Sequence, residues 1–181
     1  MKLDSEGLPD RAKILEIAEL RDKTLLDIGT GSLSIIAARD FNCQVTNIDI
    51  SVEALKEAEM ETKRQGLEHK ISFEQEDAAD LPYPDWTFHT VISYGALHHN
   101  SSDIRERIIR EVYRVAEEQI IIAELTEAGF NRLHSSSRLV AVDLNWLEDV
   151  LQSLGEVERY SSEMMNVYIC RKAASLINNT S

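Results

Sequence analysis

The sequence predicts an α/β fold: a doubly wound, mostly parallel sheet of seven strands that ends in an antiparallel hairpin. Short apolar runs alternate five times with segments whose apolar residues recur at helical spacing. Two further short runs follow each other without a helix between them, as hairpin strands do. A length of 181 residues fits one domain, so we expect residues 1–181 to form a single unit, with residues 1–23 as an N-terminal helical cap and residues 173–181 as a frayed tail.

The predicted strands are short runs that are either apolar or alternate in polarity. In chain order they cover residues 24–28, 44–48, 71–75, 89–93 and 119–123, and the hairpin covers residues 157–160 and 166–171. The fifth run is almost wholly apolar, as is expected of a strand in the middle of a parallel sheet.

Helices are predicted between these strands. Leu33 opens a series of apolar residues at i, i+3 and i+4, so a helix should begin directly after the glycine-rich turn. Ser51 is placed to cap the next helix, and Gly66 is placed to end it. In a later helix, Asn145 and Glu148 have the spacing of a capping box.

The composition excludes several classes of protein. Nineteen Lys and Arg against 32 Asp and Glu give a net charge of −13, which disfavours unaided binding to nucleic acid. No apolar stretch approaches the roughly 20 residues that span a bilayer, and residues 1–7 lack the apolar core of a signal peptide. We therefore expect a cytoplasmic protein without a membrane partner. Cys43 and Cys170 lie far apart without metal-ligand spacing, so no metal site is expected.

Residues that follow the strands of a doubly wound sheet meet at the edge where ligands bind. Gly29 and Gly31 follow the first strand, where positive φ would let a ligand approach the backbone closely. Asp49 ends the second strand, and a carboxylate there can accept both hydroxyl hydrogens of a ribose. These features predict an adenosine-type cofactor. Ser34 stands where a dinucleotide fingerprint requires a third glycine, so a nicotinamide-dependent oxidoreductase is the least favoured interpretation.

The stretch Asp27-Ile28-Gly29-Thr30-Gly31-Ser32-Leu33 resembles motif I, D-x-G-x-G-x-G, of the class I S-adenosylmethionine-dependent methyltransferases. Leu33 replaces the last glycine of that motif. Further matches to the family follow in the right order. Glu76-Asp77-Ala78 resembles its adenine-binding element, and residues 84–93 resemble its approach to the fourth strand. The segment after that strand in the small-molecule branch is resembled by Ser93-Tyr94-Gly95-Ala96-Leu97-His98-His99. His89 replaces the second Asp of the approach, and residues 116–119 replace the Lys-Pro-Gly-Gly turn before the fifth strand.

The resemblance implies a Rossmann-like domain that binds S-adenosylmethionine and releases S-adenosylhomocysteine. The residues that it places at the cofactor are Asp27, Gly29, Thr30, Gly31, Asp49, Ile50, Asp77, Ala78, Ser93 and Tyr94. His98 and His99 are the candidate catalytic bases, and Glu124, at the end of the fifth strand, could point into the site.

The implied function is methyl transfer to an unidentified small-molecule acceptor. The fourth strand is not followed by the Asn/Asp-Pro-Pro-Tyr tetrad, which argues against methylation of base or amide nitrogen. Selection of the acceptor would fall to residues 1–23, 97–103 and 126–142, to another copy of the chain, or to a partner protein. The alternative is a non-catalytic or partner-dependent S-adenosylmethionine-binding module, which the replacements at Leu33 and at residues 116–119 motivate.

Overall fold

The computed structural model describes residues 2–4, 7–134 and 138–173. Seven strands form one sheet in the order β3-β2-β1-β4-β5-β7-β6. The pairs from β3 to β5 are parallel, whereas β7 is antiparallel to both β5 and β6. The predicted fold class is therefore confirmed. The strands are β1 Thr24–Ile28, β2 Gln44–Asp49, β3 Ile71–Gln75, β4 Phe88–Tyr94, β5 Ala116–Leu125, β6 Glu156–Ser161 and β7 Met165–Arg171.

Six α-helices are described, and a 3₁₀ turn, Leu97–His99, follows β4. The helices are α1 Arg11–Ile17, α2 Leu33–Asp40, α3 Val52–Arg64, α4 Arg105–Val115, α5 Glu127–His134 and α6 Leu144–Leu154. As predicted, α2 begins at Leu33, the side chain of Ser51 caps α3, and Gly66 follows that helix with φ of +69°. The capping box predicted for α6 is wrong, because the carboxylate of Asp143 accepts from the N–H groups of Asn145 and Trp146 instead.

The core has two layers, one on each face of the sheet. Side chains of successive strand residues point to opposite faces, so Leu25 packs with α1 and α2 while Leu26 packs with α4 and α6. In β5, Ile121 belongs to the first layer and Ile120 to the second. The sheet is therefore covered on both faces, which explains why its central strands are apolar throughout.

Two elements differ from the sequence prediction. β5 starts at Ala116, directly after α4 and three residues before the strand predicted from residue 119, so residues 116–119 form a strand where the family that the sequence resembles has its Lys-Pro-Gly-Gly turn. Helix α5 follows β5 in a stretch where no helix was predicted.

The N-terminal segment contains one short helix, α1, and two of its carbonyls accept hydrogen bonds from side chains of the sheet. The hydroxyl of Tyr94 donates to the carbonyl of Pro9 at 3.0 Å, and the side-chain amide of Gln119 donates to the carbonyl of Ala18 at 2.8 Å. Of the expected frayed tail, residues 174–181 lie outside the described residues. Among the described helices, none has the length and apolar composition that crossing a membrane requires.

Candidate active site

A cavity of about 490 Å³ opens at the carboxyl ends of the parallel strands. Its wall includes residues 27–31, 48–51, 76–78 and 94–96, which follow or end β1, β2, β3 and β4, together with Arg11 and His99. The cavity thus straddles β1, which pairs with β2 on one side and with β4 on the other. Ligands of doubly wound sheets bind at such a position, because the helices on either side of it leave in opposite directions.

The turn after β1 depends on one glycine conformation. Gly29 has φ of +89°, a conformation that side chains disfavour, and its N–H donates to the carbonyl of Ile48 at 2.8 Å. The amide of Asn47 donates to the Gly29 carbonyl at 2.8 Å and so holds the turn against β2. Gly31 does not adopt positive φ, but a Cβ added there would meet no atom within 4 Å. The turn therefore leaves open space beside Gly31.

Asp27, in β1, and Leu33, at the start of α2, are buried residues on the two sides of this turn in the sequence. Asp27 is buried, and the Ser34 hydroxyl donates to its carboxylate at 2.6 Å. Burial raises the pKa of Asp27 to about 7, although the hydrogen bonds from Ser34 and Asn47 oppose that shift. Leu33 is only 3% exposed and packs in the first core layer. The residue that replaces the motif glycine therefore supplies core packing and is also part of the wall of the open cavity.

Two carboxylates flank the cavity, and each is oriented by nearby backbone. Asp49 accepts from the N–H groups of Thr30 at 3.2 Å and Ser51 at 2.8 Å. Asp77 accepts from the N–H of Ala79 at 2.8 Å through Oδ1. Both side chains are accessible at the wall, so both can bind hydroxyl or amino hydrogens of a ligand.

Most of the other predicted cofactor residues also reach the cavity. Ile50 lies at the wall with 70% of its surface exposed, and Ala78 lies beside Asp77. The ring of Tyr94 also lies at the wall, with the guanidinium carbon of Arg11 4.3 Å from its centroid. Ser93 is different: it is buried within β4 and is not part of the cavity wall.

The two predicted catalytic histidines occupy different environments. His99 lies at the cavity wall, whereas His98 is 3% exposed and lies off it. The Nδ1 atom of His98 is 2.6 Å from Oε1 of Glu124, and the His98 backbone N–H donates to Oε2 at 3.2 Å. Glu124, fully buried, also accepts from the N–H of Leu125 at 2.8 Å. Glu124 therefore orients His98 and does not point into the cavity.

His134, at the end of α5, completes a cluster of three imidazoles. Its Nε2 atom lies 3.1 Å from Nε2 of His98. The ring centroids of His98 and His99 are 4.4 Å apart, and those of His98 and His134 are 4.8 Å apart. The pKa of His99 is lowered by partial desolvation of its ring, although the residue is exposed, and by the positive charge that His98 and His134 can carry. His134 could not be predicted as a member of this cluster, because it lies in α5, a helix that the sequence pattern did not indicate.

Arg105 was not among the predicted site residues, although it bonds the backbone of Asn100, a residue of the cavity wall. Its buried guanidinium donates to the carbonyls of Asn100 at 3.0 Å, Ala141 at 3.1 Å and Val140 at 2.6 Å. Burial lowers the pKa of this side chain. Arg105 thereby ties the loop after β4 to the segment before α6. The signal in the sequence was the position of Arg105 three and four residues before Ile108 and Ile109, which places it on the apolar face of α4.

Comparisons with known proteins agree with this geometry. The sequence profile of the methyltransferase domain family matches residues 26–119. Norajmaline N-methyltransferase from Rauvolfia serpentina is 33% identical over 145 residues, which cover 79% of this chain and 49% of that protein. The chain spans less than half the length of the first curated relatives that it matches.

Solved structures share the fold at lower identity. Magnesium protoporphyrin IX methyltransferase from Synechocystis PCC 6803, solved with bound S-adenosylhomocysteine, has a TM-score of 0.72 and 18% identity, covering 90% of this chain and 80% of that one. The [4+2]-cyclase SpnF has a TM-score of 0.69 and 23% identity, covering 89% and 80%. Because the family profile matches about half of the chain, this protein belongs to the methyltransferase domain family, the class I S-adenosylmethionine-dependent methyltransferases.

Proposed function

We propose that this chain binds S-adenosylmethionine in the cavity and transfers its methyl group to a small-molecule acceptor. The observation that carries the proposal is the placement of Asp49, at the end of β2, and Asp77, just after β3, in the same cavity wall as the Gly29 turn that follows β1. The match to the methyltransferase domain family supports the same assignment.

The cavity suits the cofactor in size and in chemistry. A volume of about 490 Å³ falls within the roughly 300–1,000 Å³ typical of small-molecule sites. Asp49 would accept the ribose hydroxyl hydrogens, and Asp77 would accept from the amino group of adenine. Exposed Ile50 offers apolar surface to the base, and the open space beside Gly31 admits a ligand close to the backbone.

Bound S-adenosylmethionine supplies an electrophilic methyl group on a positively charged sulfur. The chain's own part is to align the acceptor and to exclude water from the reacting atoms. His99 is the candidate base that reaches the cavity, and its lowered pKa leaves its imidazole neutral near pH 7. His99 can therefore take a proton from an acceptor that arrives protonated. His98 is a positioning residue, since it is held by Glu124 away from the wall.

Several features support a small acceptor. Norajmaline N-methyltransferase, which this chain resembles, acts by its name on a nitrogen of norajmaline. Within residues 7–134 and 138–173, no large segment lies outside the sheet and its helices to hold a macromolecule. The net charge of −13 disfavours nucleic acid. Acceptor selection by the N-terminal segment, by residues 97–103 and 126–142, or by a second copy or partner protein stays a prediction.

The alternative of a non-catalytic binding module rests on the replaced motif residues. Leu33 packs in the core beside an open cavity, and residues 116–119 extend β5, so neither replacement closes the site. The fold alone does not decide the reaction, since SpnF shares it. Release of S-adenosylhomocysteine from S-adenosylmethionine, assayed with a panel of small amines and phenols, separates the two: turnover with any of them supports the enzyme.

Calorimetric titration tests the cofactor assignment directly. We expect S-adenosylhomocysteine to bind and NAD not to bind. Asp49→Ala should weaken S-adenosylhomocysteine binding roughly ten- to hundredfold, as expected on losing hydrogen bonds to a charged group worth about 1.5–3 kcal/mol. Asp80→Ala is the matched control, because Asp80 is an exposed acid outside the cavity wall. Tighter binding of NAD, or an unchanged affinity in Asp49→Ala, would overturn the assignment.

A further inference from the structure

The geometry points to a divalent transition-metal site formed by His98, His99 and His134 at the edge of the cavity. One ligand nitrogen from each ring can be chosen so that all three lie within 4.8 Å of one another. Imidazole nitrogen is a preferred ligand of zinc, nickel, copper and iron, but not of magnesium or calcium. The site would therefore differ in chemistry from a carboxylate site for a hard cation.

The hydrogen bonds of Glu124 determine which nitrogen of His98 is available. The Glu124 carboxylate already accepts two backbone N–H groups, from His98 and Leu125. Its contact of 2.6 Å with Nδ1 of His98 is accordingly one in which the ring donates. With its proton on Nδ1, a neutral His98 presents a lone pair at Nε2, and that atom faces Nε2 of His134.

This arrangement has the form of a metal ligand with its supporting carboxylate. Metal-bound histidines commonly donate their second ring N–H to a carboxylate, which fixes the tautomer and the ring orientation. Glu124 supplies that carboxylate from within the core, where it is fully buried. A buried anion beneath the cluster also offsets part of the charge of a bound cation.

The distances require only a small adjustment. Two nitrogens at the usual 2.0–2.1 Å from tetrahedral zinc are about 3.4 Å apart. The Nε2 atoms of His98 and His134 are 3.1 Å apart, so a cation could replace the hydrogen bond between them with a shift of a few tenths of an ångström. His99 has to approach further, and its exposed side chain is free of core packing that would prevent this.

Three histidines leave at least one coordination position of such a metal open. Because His99 lies at the cavity wall, that position would adjoin the cavity. It suits an acceptor that carries an oxygen or nitrogen donor, whose pKa a metal ion lowers on binding. A nitrogen that binds metal cannot take up a proton, so His99 would serve as ligand in the metal-loaded protein and as base only without metal. Metal binding itself does not depend on the proposed function.

The test uses the full chain without a histidine tag, freed of metal by a chelator. Titration with CoCl₂ should produce the visible absorption bands of four- or five-coordinate cobalt at one ion per chain, and ZnCl₂ should displace them. MgCl₂ and CaCl₂ should do neither. His99→Ala and His134→Ala should each weaken zinc binding at least tenfold, and Glu124→Gln should weaken it about 10- to 100-fold.

The controls separate this site from other histidines and from the cofactor site. His69→Ala removes an exposed histidine from another part of the surface and should leave zinc affinity unchanged. Circular dichroism establishes that His99→Ala and His134→Ala are folded, and neither residue is buried. Zinc binding that is absent, or that survives both variants, would overturn the site. S-adenosylhomocysteine titration of the same samples reports separately on the proposed function.

Discussion

The two ends of the cavity are held together in opposite ways. At the carboxylate end, Asp49 and Asp77 each bond the N–H of the residue two positions ahead. At the histidine end, Glu124 and His98 are 26 positions apart, and His98 and His134 are 36 apart. Asp49 also accepts from the N–H of Thr30, 19 positions away, so the first end combines local backbone turns with one longer link. The second end exists only when the tertiary structure brings three segments together. Substitutions should affect stability far more at the histidine end.

Glu124→Ala is expected to have the largest effect. The substitution leaves the His98 ring and two backbone N–H groups without their buried acceptor. Loss of one partner from such a buried charged group should lower the free energy of unfolding by about 3–5 kcal/mol. Urea unfolding at pH 7, followed by circular dichroism, measures this.

Two controls define what that result means. Glu124→Gln keeps one acceptor oxygen and should lose less stability than Glu124→Ala. Asp77→Ala, at the carboxylate end, breaks one local hydrogen bond of an exposed side chain and should lose about 1 kcal/mol or less. Equal losses in Glu124→Ala and Asp77→Ala would contradict the contrast between the two ends.

Leu33→Gly tests whether the stability of the carboxylate end depends on packing of the Leu33 side chain in the core. Removing the buried side chain should lower the free energy of unfolding by about 1.5–3 kcal/mol. Glycine is a poor helix former, so in the first turn of α2 it should lower the free energy of unfolding by a further amount of at most about 1 kcal/mol. Leu33→Ala would not have this additional loss. Affinity for S-adenosylhomocysteine should not improve, because Leu33, although it lines the cavity, is 3% exposed and packs mainly in the core layer. A clear gain in affinity would show instead that Leu33 crowds the cavity.

Asp27→Asn tests, through the pH dependence of stability, whether the buried carboxyl group of Asp27 has a raised pKa. Folded Asp27 keeps its proton until about pH 7, while the unfolded chain releases it near pH 3.8. The unfolded state therefore binds fewer protons between these values, and the folded protein loses stability as pH rises through them. Relative to Asp27→Asn, the parent should lose about 2–3 kcal/mol between about pH 5 and pH 8. A difference between the two proteins that stays constant with pH would show that Asp27 is ionised throughout.

Local patterns in the sequence were enough to predict most of the sheet and the carboxylate end. A strand that ends in Asp49, followed by the cap residue Ser51, already implies where that carboxylate lies. The conformation of Gly31 could not be predicted in the same way, since glycine tolerates both signs of φ and neighbouring contacts decide between them.

The histidine end could be predicted only in part. His98 and His99 were recognised from their position after the fourth strand, but His134 lies in α5, whose sequence has Gly129 in its middle. A Cβ at residue 129 would collide with the carbonyl of Met164, so the close approach of α5 to the sheet requires glycine. Gly129 also weakens the helical pattern of the sequence around it. The contact that requires glycine there is made by Met164, 35 positions further along the chain.

The extent of β5 was underestimated for a related reason. Ala116-Glu117-Glu118 is a good helix-forming sequence, and it directly continues α4. In the structure, Ala116 pairs with Phe88 on β4, and Gln119 pairs with Arg171 on β7. Pairing on both sides overrides the local preference, and such pairing cannot be seen within a short window of sequence.

The position of β7 has a consequence for how the protein can be made without aggregating. β5 carries the apolar run Ile120, Ile121 and Ile122, and one of its edges is covered by β7, which is the last strand of the sheet in chain order. During synthesis that edge is unpaired until residues 165–171 emerge, and an apolar edge strand can pair with strands of other chains. β6, the outer strand of the finished sheet, carries Glu156, Glu158 and Arg159, whose charges oppose such pairing. The hairpin thus replaces an aggregation-prone edge with a charged one, so a chain that stops before β7 should be far more prone to aggregate than the whole chain.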